Sequence, residues 1–184
     1  MFGFLMQYLK NPKTIGAIAP SSKKLAGEMM KPIDFDNAKC IVEFGPGTGV
    51  FTEELLRYRK SDTFIILIEQ NIDFCRLLSK KFKNEQNFAI VHGSAENAVR
   101  IIKKYGFDKA DFIISGLPFT SLPKEISLNV FDATRAAIGK AGTFITFQYT
   151  LIKQNFFAEH FRFKNIIHVM RNLPPAYIFV LKNK

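Results

Sequence analysis

From Cys40 onward the chain alternates short apolar runs with stretches of helical period, and this alternation restricts the fold more than any other feature. Residues 41–44, 64–68, 88–91, 112–114 and 143–149 read as strands. Between and after them, 52–58, 72–82, 96–104, 124–138 and 151–161 carry apolar residues at helical spacing. A helix after each strand returns the chain to its starting edge, so the strands are expected to lie parallel. The rhythm breaks at the end, where 166–169 and 176–181 read as strands joined only by a short segment containing Asn172 and Pro174-Pro175. So short a connection permits an antiparallel hairpin and no parallel crossover. The expectation is an α/β protein with a seven-stranded, mostly parallel sheet, helices on both faces and a C-terminal antiparallel hairpin. No internal repeat stands out.

At 184 residues, one compact domain is expected. Hydrophobic residues make up 47% and charged residues 23%, and no low-complexity tract argues for disorder. Twenty phenylalanines and no tryptophan point to an aromatic-rich core, with a few rings left for an aromatic-walled or membrane-contacting site. Lysine and arginine total 26 against 16 acids, and the resulting +10 favours a polyanionic partner, RNA or an anionic bilayer. Cys40 and Cys75 lie far apart without metal-ligand spacing, so free buried thiols and no metal site are expected. No apolar run reaches the roughly 20 residues of a bilayer span, and the N-terminus lacks the pattern of a signal peptide. A cytoplasmic protein, soluble or peripherally attached to membrane, is the expectation.

The stretch "VEFGPGTGV" follows the first strand and opens a helix, placing Gly45, Gly47 and Gly49 where backbone can approach a ligand at the carboxyl edge of a sheet. A dinucleotide fold wants its third glycine one place later, at Val50, and the Gly-Lys-Ser/Thr ending of a P-loop is absent. The spacing suits S-adenosylmethionine better than NAD or ATP. Glu69 ends the second strand, 20 residues beyond Gly49, where an acid can take both ribose hydroxyls. After the third strand, "HGSAEN" brings Ser94, Ala95 and Glu96 to the place where an adenine would be held.

"VEFGPGTGVFTEELL", "SGLPF", "FQYT" and "RNLPPA", with "GAIAPSSKKLA" before them, make the chain similar to the bacterial phosphatidylethanolamine N-methyltransferases, a group related to the rRNA adenine dimethyltransferases. The resemblance runs over nearly the whole chain and implies a Rossmann-like methyltransferase fold. It implies cofactor contacts from Glu43, Gly45, Gly47, Gly49, Glu69, Ser94, Ala95, Glu96 and Ser115, and from Ser21 and Ser22 in a covering segment within residues 1–35, ahead of a catalytic domain at 36–184. It places the lipid headgroup and its methyl-accepting nitrogen near Gly116, Leu117, Pro118, Phe119, Tyr149, Arg171 and Asn172. Phe119 departs from the smaller aliphatic residue common at its place in the lipid enzymes.

"FIISGLPF" bears on the acceptor. An adenine amino group is conjugated and weakly nucleophilic, so base methylases hydrogen-bond it with a polar side chain while an aromatic ring stacks on the base. Gly116 stands where that polar side chain is needed, and Ser115 substitutes only if the turn shifts by a residue. The rRNA enzymes also carry an added helical domain after the hairpin, whereas this sequence ends at Lys184. A lipid amine is instead an ammonium that must lose its proton, which desolvation in an apolar pocket favours. Transfer then requires chiefly in-line positioning. Phe119, Tyr149 and Tyr177 are candidates to line such a pocket and hold the cationic product by cation-π attraction. His92, His160 and His168 fall in no motif.

At the start, "MFGFLMQYLKNPK" places Phe2, Leu5, Met6 and Leu9 at helical spacing ahead of Lys10 and Lys13, which suits a helix lying in an anionic bilayer interface. A peripheral phospholipid N-methyltransferase is the leading expectation. An RNA adenine N6-methyltransferase and a cofactor-binding module without turnover are the alternatives.

Overall fold

A computed structural model describes residues 20–170, 172 and 174–184, with side chains from residue 23. The expected interfacial helix within 1–13 and the expected contact from Arg171 lie outside the described residues. The chain runs α1 (Pro20–Met30), β1 (Cys40–Phe44), α2 (Val50–Tyr58), β2 (Phe64–Glu69), α3 (Ile72–Lys81), β3 (Phe88–His92), a 3-10 turn (Ala95–Asn97), α4 (Ala98–Lys104), β4 (Phe112–Ser115), α5 (Lys124–Ile138), β5 (Thr143–Gln148), α6 (Gln154–His160), β6 (Phe161–Val169) and β7 (Ala176–Asn183).

The seven strands form one sheet in the order β3-β2-β1-β4-β5-β7-β6. The first five are parallel, while β7 runs antiparallel to both β5 and β6. Both faces are covered, which is why the central strands are continuously apolar. Alternate residues serve opposite cores. Val42, Phe44, Ile66, Ile68, Ile113 and Phe144 pack toward α4, α5 and α6. Ile41, Ile65, Leu67, Ile114 and Ile145 meet Leu25 and Met29 of α1, Leu55 of α2 and Leu78 of α3.

After β1 the chain adds strands on one side as far as β3, then crosses to the other side of β1 with β4. Phe44 therefore lies beside both Ile68 and Ser115. At such a switch point the turns leaving neighbouring strands diverge, opening a crevice at the carboxyl edge.

The expected elements are present, with one correction at the C-terminal end. The helix expected over 151–161 is confined to Gln154–His160, and Phe161 begins a nine-residue strand that extends well before residue 166. Its register shifts between Phe163 and Asn165 where it pairs with β7. This is an edge strand exposing Arg162, Lys164 and Asn165, and the bulge breaks the alternation that identifies a strand in sequence.

Candidate cofactor and acceptor site

The turn after β1 runs Gly45-Pro46-Gly47-Thr48-Gly49 into α2, with all three glycines at positive φ. Gly49 takes the N-cap position at φ 83°, where an L side chain is strained, and a Cβ there stands 2.9 Å from both Leu78 and Phe82 of the neighbouring α3 region. Long-range bonds hold the turn. Gly45 N–H donates to the Ile68 carbonyl at 3.0 Å, and Gly47 N–H donates to Glu69 Oε2 at 3.1 Å. Lys81 Nζ donates to the Thr48 carbonyl at 2.9 Å and pairs with Glu53 at 2.8 Å, tying α3 to the turn and to α2.

Two carboxyls lie beneath it. Glu69, buried at the end of β2, accepts from Asn71 N–H at 2.8 Å through its second oxygen. Glu43, on β1, is wholly buried and accepts from Thr52 Oγ1 at 2.7 Å through Oε2. Its Oε1 is buried with no hydrogen-bond partner among the described residues. Burial pushes the Glu43 carboxyl up to about 8, with the negative charge of Glu69 adding to the rise and the Thr52 bond and Lys81 opposing it. After β3, Ser94 caps the 3-10 turn by accepting from Glu96 N–H at 3.3 Å. Its hydroxyl also donates to Glu96 Oε2 at 3.2 Å, and Asn129 of α5 donates to Glu96 Oε1 at 3.2 Å. Ala95 is buried behind it.

The turn after β4 interlocks with the glycine turn. Gly116 N–H donates to the Phe44 carbonyl at 2.9 Å, and a Cβ added at Gly116 stands 2.9 Å from the Gly45 carbonyl oxygen. Backbone meets backbone there, so the position is closed to a side chain without displacing the glycine turn. Ser115 is fully buried; its Oγ accepts from Leu117 N–H at 3.1 Å, and its carbonyl accepts from Thr146 Oγ1 at 3.3 Å. Leu117 packs over Gly45, and the Pro118 carbonyl accepts from Ser121 and Leu122 N–H.

Phe119 is not on the open side of this turn. Its ring is fully buried against Phe131, Phe144 and Phe157, so the expected substrate contact is corrected to a core-packing role; its carbonyl accepts from Lys153 Nζ at 2.6 Å. Nor do Tyr149 and Tyr177 form one wall. Tyr149 sits edge-on to Phe147 at 5.4 Å, and Phe147 edge-on to Phe51 at 5.7 Å, on the face covered by α1 and α2. Tyr177 pairs with Gln148 in register and stacks on His168 at 4.5 Å, on the opposite face. Tyr149 keeps 38% of its surface exposed, and burial of the remainder raises its phenol. Asn172 is buried and donates to the Pro174 carbonyl at 2.6 Å, leaving Oδ1 without a partner among the described residues, as is Gln148 Nε2. His92 Nε2 lies 3.0 Å from the Gln70 carbonyl, and His160 packs on Phe131 and Phe156. Ser21 and Ser22 fall in the first turn of α1.

Sequence reasoning missed Thr52, Lys81, Asn129, Phe51 and Phe147. A hydroxyl in the first turn after Gly49 was the available signal for Thr52, and the other four carried none.

Solved structures share this fold at low identity. The N-methyltransferase NodS from Bradyrhizobium japonicum WM9, in complex with S-adenosyl-l-homocysteine, matches with a TM-score of 0.73 at 10% identity, over 99% of this chain and 97% of that one. TrmN from Thermus thermophilus matches with 0.71 at 12%, over 98% of this chain and 53% of that one. The family model described as ribosomal RNA adenine dimethylase matches residues 2–132. The ornithine lipid N-methyltransferase of Singulisphaera acidiphila is 35% identical over 177 residues, covering 95% of this chain and 92% of that protein. The ribosomal RNA small subunit methyltransferase A of Nostoc punctiforme is 28% identical over 119 residues, covering 63% of this chain but 39% of that protein. Fold, site and relatives together define an S-adenosylmethionine-dependent methyltransferase. The chain belongs to the ribosomal RNA adenine dimethylase family, as a member similar to a lipid N-methyltransferase.

Proposed function

We propose that this protein methylates the amine of a zwitterionic membrane-lipid headgroup, the class that includes phosphatidylethanolamine, its methylated derivatives and ornithine lipid. The observation that carries this reading is the closed position at Gly116: the polar side chain with which a base methylase holds an adenine amino group has no room there, because its Cβ alone meets the Gly45 carbonyl at 2.9 Å. The similarity to an ornithine lipid N-methyltransferase over 92% of that protein's length supports it.

The residues fit the cofactor. The left-handed glycines leave the turn bare, Glu69 would take the ribose diol, and the buried, unpartnered Glu43 Oε1 would accept from the cofactor's ammonium group once the carboxyl has given up its proton. Ser94, Ala95 and Glu96 form the adenine side, Ser115 lies beside the reacting centre, and Ser21 and Ser22 belong to the covering segment. When bound, S-adenosylmethionine supplies a methyl group on a positively charged sulfur. The protein must present a neutral amine to it. Phe51, Phe147 and Tyr149 wall the acceptor side with rings, which penalise an ammonium by desolvation and release a proton before attack. Tyr149 then holds the methylated cation by its ring face. Gly116, Leu117 and Pro118 shape the floor, while Arg171 answers the headgroup's anionic group. The N-terminal segment brings the protein to an anionic bilayer surface.

The test is transfer of labelled methyl to vesicles of phosphatidylethanolamine, vesicles of ornithine lipid, and unmodified ribosomal RNA, each with a Glu69→Ala control. Label in either lipid, lost in the control, is the expected result. Label in RNA alone refutes the reading and means that the acceptor base is held by backbone at the Gly116 turn.

A further inference from the structure

Among the described residues, eight large hydrophobic side chains are exposed, and they are not scattered. Ile72 opens α3, Ile126 lies in the first turn of α5, Tyr149, Leu151 and Ile152 lie between β5 and α6, and Met170 begins the turn between β6 and β7. Ile72, Tyr149, Leu151 and Ile152 follow within a few residues of the ends of parallel strands, and Ile126 opens the helix reached by the turn after β4, all at the carboxyl edge. The register Gln148↔Tyr177 and Val169↔Ala176 brings the hairpin turn, and Met170 with it, to that same edge. Only Tyr58 and Leu77 lie elsewhere. The two most exposed are Ile152 at 86% and Met170 at 72%, so nearly all of each side chain faces solvent.

We infer that Ile152 and Met170 head an apolar rim that inserts into the bilayer surface and sets the open edge of the sheet against the lipid headgroups. The inference deepens the lipid-amine reading and depends on it: a headgroup nitrogen stays at the bilayer surface, so the enzyme must bring the turns after β1 and β4 down to it. No helix among the described residues is long and apolar enough to cross a membrane, which leaves surface contact as the means available to them. Single side chains projecting from separate connections suit shallow insertion into lipid better than a partner helix, which requires a continuous groove. The formal charge of +10 complements an anionic surface, and exposed Lys124 stands on the same edge two residues from Ile126. Ile152 and Met170 are nearly fully exposed and belong to none of the groups assigned to the cofactor or the acceptor, so the rim can be varied apart from the chemistry.

The experiment compares the full chain with an Ile152→Glu/Met170→Glu double variant and a Leu77→Glu control, which changes an exposed apolar residue on α3 away from the edge. Each is sedimented with vesicles of phosphatidylethanolamine and phosphatidylglycerol, and each is assayed for methyl transfer to lipid dispersed in detergent micelles. The double variant is expected to bind vesicles about tenfold more weakly or worse, with micellar transfer retained and the control unchanged. Vesicle binding equal to wild type, while wild type still methylates lipid, overturns the rim and leaves the lipid-amine reading standing. Absence of lipid methylation by the wild type in both vesicles and micelles overturns that reading and the rim with it.

Discussion

Replacing Glu43 by glutamine isolates one buried carboxyl whose ionisation opposes folding. Glu43 is fully enclosed, bonded once to Thr52, and its carboxyl is pushed up to about 8 from an ordinary value of 4.5. Between those two values the folded protein holds a proton that the unfolded chain releases, so the contribution of this group makes stability fall as pH rises. From about pH 5.5 to about pH 8.5 the loss amounts to about 3 kcal/mol by linkage. Glutamine has the same shape, keeps an oxygen to accept from Thr52 and does not titrate. Denaturant unfolding of the cofactor-free protein at the two pH values, wild type beside Glu43→Gln, therefore shows a steeper decline for wild type by that amount, other titrations cancelling in the comparison. The same reasoning predicts that cofactor binding near neutral pH releases a proton from the wild type, visible as a dependence of calorimetric heat on buffer ionisation enthalpy and absent in the variant. Equal pH slopes for the two proteins would refute a protonated Glu43.

Gly116→Ala places a methyl group 2.9 Å from the Gly45 carbonyl and must displace the glycine turn, so cofactor affinity falls about tenfold or more in a binding titration; unchanged affinity would show that the two turns are not interlocked. Phe119→Ala empties the centre of a phenylalanine cluster and lowers unfolding free energy by about 3–5 kcal/mol. Phe119→Leu is the discriminating variant: a packing role predicts a small stability loss and an unchanged KM for lipid, whereas a stacking role predicts a raised KM. At the acceptor wall, Tyr149→Phe retains the ring and is expected to keep the transfer rate within about threefold, while Tyr149→Leu lowers it about tenfold. Equal rates for the two would remove Tyr149 from the site.

The helix-strand alternation, the terminal hairpin and the glycine turn at the carboxyl edge were legible in the sequence because each is carried by local pattern. A strand buried on both faces must be apolar throughout, a turn with three left-handed residues must be glycine, and an acid ending the second strand reaches the first turn by topology alone. The bare position at Gly116 was legible too, as an absent side chain, although its cause is the approach of the Gly45 carbonyl from a turn 71 residues earlier. Only the tertiary structure decided where the rings go. Phe119 follows an irregular turn, where no period dictates direction, and Phe131 of α5, Phe144 of β5 and Phe157 of α6 enclose its ring in the core. Tyr149 and Tyr177 both belong to the same edge of the sheet, yet strand register sends them to opposite faces. Lys81 meets Thr48 only because Leu78 and Phe82 pack α3 against Gly49. Periodicity is a property of neighbours along the chain; contacts between turns follow from how the packed layers bring distant turns to one edge, and that becomes definite only when both cores are filled.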